Sequence, residues 1–202
     1  MKIVFASGNA HKLREVTELL EGSMTIPFEL LSLKDIGFEG DIIEDGSTFE
    51  ENSMIKAKTV YDFCRLPVIA DDSGICVDAL GGAPGIHSAR YAQVFADKNS
   101  PDDTNTQLLL KNMIGKTDRK AQFVCAVSFV SDKLSFTVRG ECHGEVIDEK
   151  RGDGGFGYDP IFYMKEFQKT LSEVTEEEKN SVSHRGKAIR AAAEKISKAF
   201  AQ

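Results

Sequence analysis

Asp71 and Asp72 stand side by side where an apolar run, Pro67-Val68-Ile69-Ala70, gives way to Ser73-Gly74. Neighbouring side chains of an extended segment point to opposite faces, so one carboxylate can face a cleft while the other braces the chain. In a cleft, such an Asp holds Mg²⁺ through oxygen or takes a proton from water. The same dipeptide also suits an Asx-turn that ends the strand, and spacing alone leaves both readings open.

Three further polar clusters sit where elements should meet. Ser7-Gly8-Asn9-Ala10-His11-Lys12 lies between an apolar strand and an amphipathic helix, and combines helix N-terminal amides, a glycine and a lysine, as an anion site requires. A plain strand-to-helix turn capped by Asn9 is the structural alternative. Gly152-Asp153-Gly154-Gly155-Phe156-Gly157-Tyr158-Asp159-Pro160 contains G-x-G-x-x-G, but the chain beyond it reads as extended, the wrong context for a dinucleotide fold. It suits a loop that offers Phe156 as a stacking face and Asp159 as an acceptor, or a glycine-rich turn around a buried Phe. Ser183-His184-Arg185-Gly186-Lys187 opens the last helix with cations that oppose the helix dipole, a placement that signals a ligand supplying the missing negative charge.

Other chemistries lack their residues. Gly115-Lys116-Thr117 ends like a Walker A loop, but Leu110 stands where a glycine is needed. No H-E-x-x-H or G-x-S-x-G occurs. His11, His87 and His143 read as polar or hydrogen-bonded residues. The segment 29–51 carries eight carboxylates against Lys34 alone; most must be solvated, and one could complete a Mg²⁺ shell.

The elements that would position these clusters belong to one domain, 1–202. With 25 Lys plus Arg against 32 Asp plus Glu, the net charge of -7 argues against gripping a nucleic-acid backbone, though not against a small anionic ligand. Cys64, Cys76, Cys125 and Cys142 show no metal-site spacing and read as reduced thiols. The first apolar run is too short for a signal peptide, and none approaches a membrane span, so a cytoplasmic protein is expected.

Strands are expected at Lys2–Ala6, 28–33 and Pro67–Ala70, with a hairpin of Ala121–Val130 and Leu134–Arg139 joined by Ser131-Asp132-Lys133. Helices should run from Asn9 to Gly22, from Ser47 or Thr48, near 102–114, and after Ser181 or Ser183; Ala79–Arg90 should be a loop. This is an α/β pattern, a mixed sheet flanked by helices.

Taken in order, the motifs resemble the inosine/xanthosine triphosphate pyrophosphatase family. The likeness covers nearly the whole chain. It rests on Ser7–Lys12, Glu44-Asp45-Gly46-Ser47-Thr48-Phe49-Glu50-Glu51-Asn52, Ala70–Gly74, Leu80–Gly85, Ser88-Ala89-Arg90-Tyr91, Gly154–Pro160 and Ser183–Gly186. It implies a long central sheet, two lobes with a deep substrate cleft, and a homodimer. The implied reaction cleaves ITP, dITP or XTP between the α- and β-phosphates, giving the monophosphate and pyrophosphate and cleansing the nucleotide pool. By the same resemblance Ser7, Gly8, Asn9, Ala10, His11 and Lys12 wrap the triphosphate, and Ser73 touches substrate. Glu44 and Asp72 bind Mg²⁺, with Asp72 the proton acceptor for water. Phe156 stacks on the purine, with Gly157 and Tyr158 beside it, while Asp159, Lys179, His184 and Arg185 surround the base. Segment 97–103 matches no family motif.

Two other classes compete. A covalent phosphatase would use Asp71 or Asp72 as nucleophile, but lacks the D-x-D spacing. A nucleotide sensor would bind without turnover, and has no need of Lys12, Glu44 and Asp72 together.

Overall fold

The computed structural model describes residues 1–95 and 104–201, so the 97–103 segment lies outside the described residues. Seven strands form one mixed sheet: β1 (Lys2–Phe5), β2 (Glu29–Leu31), β3 (Val68–Val77), β4 (Lys120–Val130), β5 (Ser135–Val146), β6 (Phe162–Met164) and β7 (Lys169–Thr170). Their order is β2-β1-β3-β4-β5-β6-β7. β1 runs parallel to β2 and β3, whereas β5, β6 and β7 pair antiparallel.

The helices are α1 (Ala10–Glu21), α2 (Phe49–Cys64), α3 (Tyr91–Phe95), α4 (Asn105–Asn112), α5 (Glu176–Val182) and α6 (His184–Phe200). Among the described residues, no helix is long and apolar enough to cross a membrane. The chain divides into two compact units.

The first unit comprises Met1–Asp72, Cys125–Gly140 and His184–Gln202. Its core has two parts. Ile3, Phe5, Val16, Leu20, Ile69, Phe129, Ile189 and Ile196 join α1 and α6 to the sheet, and Val4, Ala57, Val60 and Val68 join α2. α1 starts where expected: the Asn9 side chain accepts from the amides of His11 and Lys12. α2 is capped by Thr48, which accepts from Glu51 N–H, while the Glu51 carboxylate takes the Ser47 amide.

The second unit comprises Ser73–Val124 and Glu141–Ser183, around a core of Ile75, Leu109, Phe123, Phe162 and Met164. The expected loop 79–90 contains two 3₁₀ turns, Asp78–Leu80 and Gly85–Arg90. α4 is capped by Thr104, and α5 by a full capping box of Thr175 and Glu178. After the glycine-rich loop come one 3₁₀ turn, Asp159–Ile161, and β6, so no dinucleotide-type helix follows the glycines.

The largest correction concerns the Asp pair. The expected short strand does not end at Ala70; β3 continues through Asp71-Asp72-Ser73-Gly74 to Val77. Two charges survive inside a strand because each is met by buried cations. The hairpin is placed as read, but its second strand runs on to Val146.

Candidate active site

Asp71 has a side chain with no exposed surface, on the face of β3 met by α1 and α6. Its Oδ2 accepts from Lys12 Nζ at 2.9 Å, and from Arg185 Nε and Nη2 at 3.3 Å each. Arg185 Nη1 in turn donates to Glu15 Oε2 at 2.6 Å. Burial alone would raise the Asp71 pKa, but the charges of Lys12 and Arg185 outweigh it and hold the carboxyl far below the usual range. Arg185 is driven the other way for the same reason: burial works against its charge, and Asp71 and Glu15 more than restore it.

At the cationic start of α6, where a ligand's charge was expected, Arg185 is instead met by the chain's own Asp71 and Glu15. Cys125 lies in the same field; burial, with Asp71 nearby, pushes its thiol up to about 12. A sealed, paired Asp71 is no nucleophile, which removes it from any covalent phosphatase scheme.

Asp72 faces a different company. Its Oδ1 accepts from Lys56 Nζ at 3.3 Å and its Oδ2 from Asn52 Nδ2 at 3.3 Å. Lys56 also donates to Glu44 Oε2 at 3.0 Å. Burial raises the Asp72 pKa; Lys56 opposes this, but Glu44 and Asp71 add to the rise, and the net direction is up. Lys56 is desolvated, yet Asp72, Asp71 and Glu44 hold its pKa above the ordinary value.

Gly46 makes room for this arrangement, since a Cβ there would lie 2.7 Å from Asn52 Oδ1. The Gly46 amide instead donates to that oxygen at 2.9 Å, turning the Asn52 amine towards Asp72. Asn52 and Lys56 are four residues apart on α2, on the same face as Phe49, Ala57 and Val60.

Of the Ser7–Lys12 loop, Ser7 Oγ accepts from the Asn9 amide, and a Cβ at Gly8 would meet none of the described residues within 4 Å beyond its chain neighbours. Ala10 and His11 are exposed at the start of α1, and His184 is buried at the start of α6.

The second unit holds a cluster of its own. Asp159, 3% exposed, accepts the Phe156 amide at 2.9 Å and Lys179 Nζ at 2.8 Å on the same oxygen. The Lys179 ammonium sits 4.9 Å from the Phe156 ring centre, and the ring is 38% exposed. Gly155 is required here: its φ is +70°, and a Cβ would meet Asp159 Oδ2 at 2.4 Å. Among the bonds that tie the loop down are Tyr158 OH to Ser88 O at 2.8 Å, Thr106 Oγ1 to Gly157 O at 3.2 Å and the Gly154 amide to Ser172 O at 3.2 Å. Ser73 belongs to this unit by its position in β3.

The structure thus brings Lys12, Asp71 and Arg185 together, Glu44 together with Asp72, and Phe156 together with Asp159 and Lys179. Arg185, expected beside a base, has its guanidinium on Asp71 and Glu15 in the first unit. Sequence reasoning missed Lys56 and Glu15, and quoted Asn52 within a motif without giving it a role. The signal was available for Asn52 and Lys56: polar residues on the otherwise apolar face of an amphipathic helix need partners.

A family model described as the Ham1 family matches residues 3–195. A dITP/XTP pyrophosphatase of Treponema denticola is 48% identical over 191 residues, covering 94% of this chain and 95% of its own. One from Bacillus anthracis is 42% identical over 202 residues, covering 98% of each chain. Among solved structures, a HAM1 protein from Coxiella burnetii superposes with a TM-score of 0.86 at 38% identity, covering 98% of this chain and 100% of that one. End-to-end agreement in sequence and in fold gives one conclusion: the chain belongs to the Ham1 family.

Proposed function

We infer that the chain is a nucleoside triphosphate pyrophosphatase that hydrolyses the deaminated purine nucleotides ITP, dITP and XTP to the monophosphate and pyrophosphate. The names of its relatives support the substrate class. The observation that carries the chemistry is the Asp72 centre. Two carboxylates there, Glu44 and Asp72, face one ammonium, leaving a net charge of -1. Hard oxygen donors that already converge on a cation fit Mg²⁺.

When bound, a divalent ion at Glu44 and Asp72 would offset charge on the phosphate oxygens. The rest is done by the chain. Asp72, with its pKa raised and its carboxylate oriented by Asn52 and Lys56, takes the proton of the attacking water. Ser7 to Lys12 would wrap the triphosphate at the start of α1, with Lys12, one of whose donors is on Asp71, turning its remaining donors to the phosphates. In the second unit, Phe156 supplies a stacking face for the purine, and Lys179 and Asp159 fix that ring and its loop.

Specificity for a 6-oxo purine follows if donors, His184 among them, meet the base oxygen. Adenine would leave them unpaired, at a cost of about 1–3 kcal/mol per group. Cleansing of the nucleotide pool in the cytoplasm and a homodimeric state complete the proposal; sedimentation velocity checks the dimer.

The test is incubation with ITP, XTP and ATP, with and without Mg²⁺, followed by anion-exchange separation. Mg²⁺-dependent IMP plus pyrophosphate, with ATP spared, is expected. IDP plus orthophosphate would overturn the cut site, and unchanged nucleotide would leave a binding protein.

A further inference from the structure

Lys56 is an unusual residue for the inward face of α2. It is 8% exposed and has carboxylate oxygens from two separate segments within 3.3 Å, Glu44 from the chain before α2 and Asp72 from β3. A buried ammonium is tolerated only where its charge is met, and this one is met by the two groups read above as ligands for a divalent ion.

We propose that Lys56 is the built-in counter-cation of the Glu44–Asp72 pair, so that in the absence of nucleotide a divalent ion can bind these carboxylates only by displacing the Lys56 ammonium. The inference rests on the reading that Glu44 and Asp72 hold the ion. Charge counting carries it further. With Lys56 in place the two carboxylates and one ammonium sum to -1. A divalent ion alone would bring the sum to zero, whereas ion and ammonium together would leave +1 in a confined, poorly solvated space.

Cations a few ångströms apart in such surroundings repel strongly, so both stay only if further anionic charge arrives. A nucleotide triphosphate brings that charge. The chain by itself therefore binds the ion weakly, and substrate and ion bind each other's complexes more tightly than either binds the bare chain. Asn52 adds to the hold: by donating to Asp72 Oδ2 it keeps Oδ1 turned to the lysine.

Mn²⁺ serves as the probe, with free Mn²⁺ counted by electron paramagnetic resonance at neutral pH and no nucleotide present. Lys56→Met is expected to bind Mn²⁺ about tenfold or more tightly than the unaltered chain. Adding Glu44→Gln to that variant should abolish the gain, and Lys56→Arg, which retains a cation, should stay near the unaltered chain. Lys56→Gln, which keeps a polar tip, replaces Lys56→Met if the latter loses its thermal unfolding transition.

Equal or weaker Mn²⁺ binding by folded Lys56→Met and Lys56→Gln overturns the proposal. A parallel titration with a non-hydrolysable ITP analogue separates the two ideas. If the unaltered chain binds Mn²⁺ with the analogue but neither variant gains without it, competition alone is wrong. If no Mn²⁺ binds under either condition, the assignment of Glu44 and Asp72 as ion ligands falls with it.

Discussion

Asp71 and Asp72 are consecutive residues of one strand, yet they live in opposite electrostatic surroundings. Around Asp71, two anions (Asp71, Glu15) meet two cations (Lys12, Arg185), and the charges cancel. Around Asp72, two anions (Asp72, Glu44) meet one cation (Lys56), and one negative charge is left over. The strand's alternation assigns the pair to opposite faces, and the helices that cover those faces decide the rest. The balanced centre holds its carboxyl well below the usual carboxylate range and locks α1 to α6. The unbalanced one keeps a carboxylate with a raised pKa beside a charge deficit, which is what a proton acceptor near a cation needs. Neighbours in sequence can thus be a brace and, in the proposed mechanism, a base.

The contrast breaks most sharply under isosteric neutralisation. Asp72→Asn should lower kcat by a factor of roughly 10²–10⁴ while leaving stability within about 1 kcal/mol, because Lys56 retains Glu44. Asp71→Asn should do the reverse in stability, losing about 3–5 kcal/mol, since the buried Arg185 would be left with Glu15 alone and the half-buried Lys12 would lose its partner. Paired urea denaturation and steady-state ITP kinetics on both variants decide it. An active Asp72→Asn enzyme would remove Asp72 from its role as base.

The pH dependence of stability sharpens the same contrast. In the folded chain Asp71 is held far below its unfolded value of about 3.9, so on acidification the unfolded chain takes up the proton first. Its contribution is full above about pH 5 and is lost progressively as the pH falls through 4 and below. Urea midpoints measured across the acid range should fall steeply for the unaltered chain. Asp71→Asn should start lower and fall less, and parallel curves would remove Asp71 as the source of the slope.

How much of this was legible in the residues depends on distance along the chain. Local chemistry was readable: Asn9 caps α1, Thr48 opens α2, and Ser131–Lys133 turns the hairpin, because each needs only its neighbours. That Asp71 and Asp72 would face opposite ways was readable too, as a property of extended chain, though spacing did not say which would brace. What could not be read was the identity of the partners. Lys56 reaches Asp72 across 16 positions, and Arg185 reaches Asp71 across 114. Such pairings follow from packing, and without them a charged pair looked like the end of a strand. α5 was missed although Thr175-x-x-Glu178 is a capping box, since no apolar period follows it to mark a helix.

A smaller effect is expected in the second unit, where neutral hydrogen bonds add to the Asp159–Lys179 ion pair in anchoring the Phe156 loop. The Phe156 loop is tied by Thr106 Oγ1 to Gly157 O at 3.2 Å and by Tyr158 OH to Ser88 O at 2.8 Å. Each such bond is worth about 0.5–1.5 kcal/mol. Thr106→Val keeps the shape of the side chain and removes only the donor. If the loop presents Phe156 to the purine, the loss appears as a KM for ITP raised about two- to tenfold with kcat little changed, because the proton acceptor belongs to the other unit. Inorganic tripolyphosphate, which has no base, should bind Thr106→Val as it binds the unaltered chain. Phe156→Ala is the internal control: a raised KM there with an unchanged KM in Thr106→Val would show the ring matters and its tether does not. No change in either would move base recognition away from this loop, leaving Lys179 and Asp159 as a purely internal ion pair.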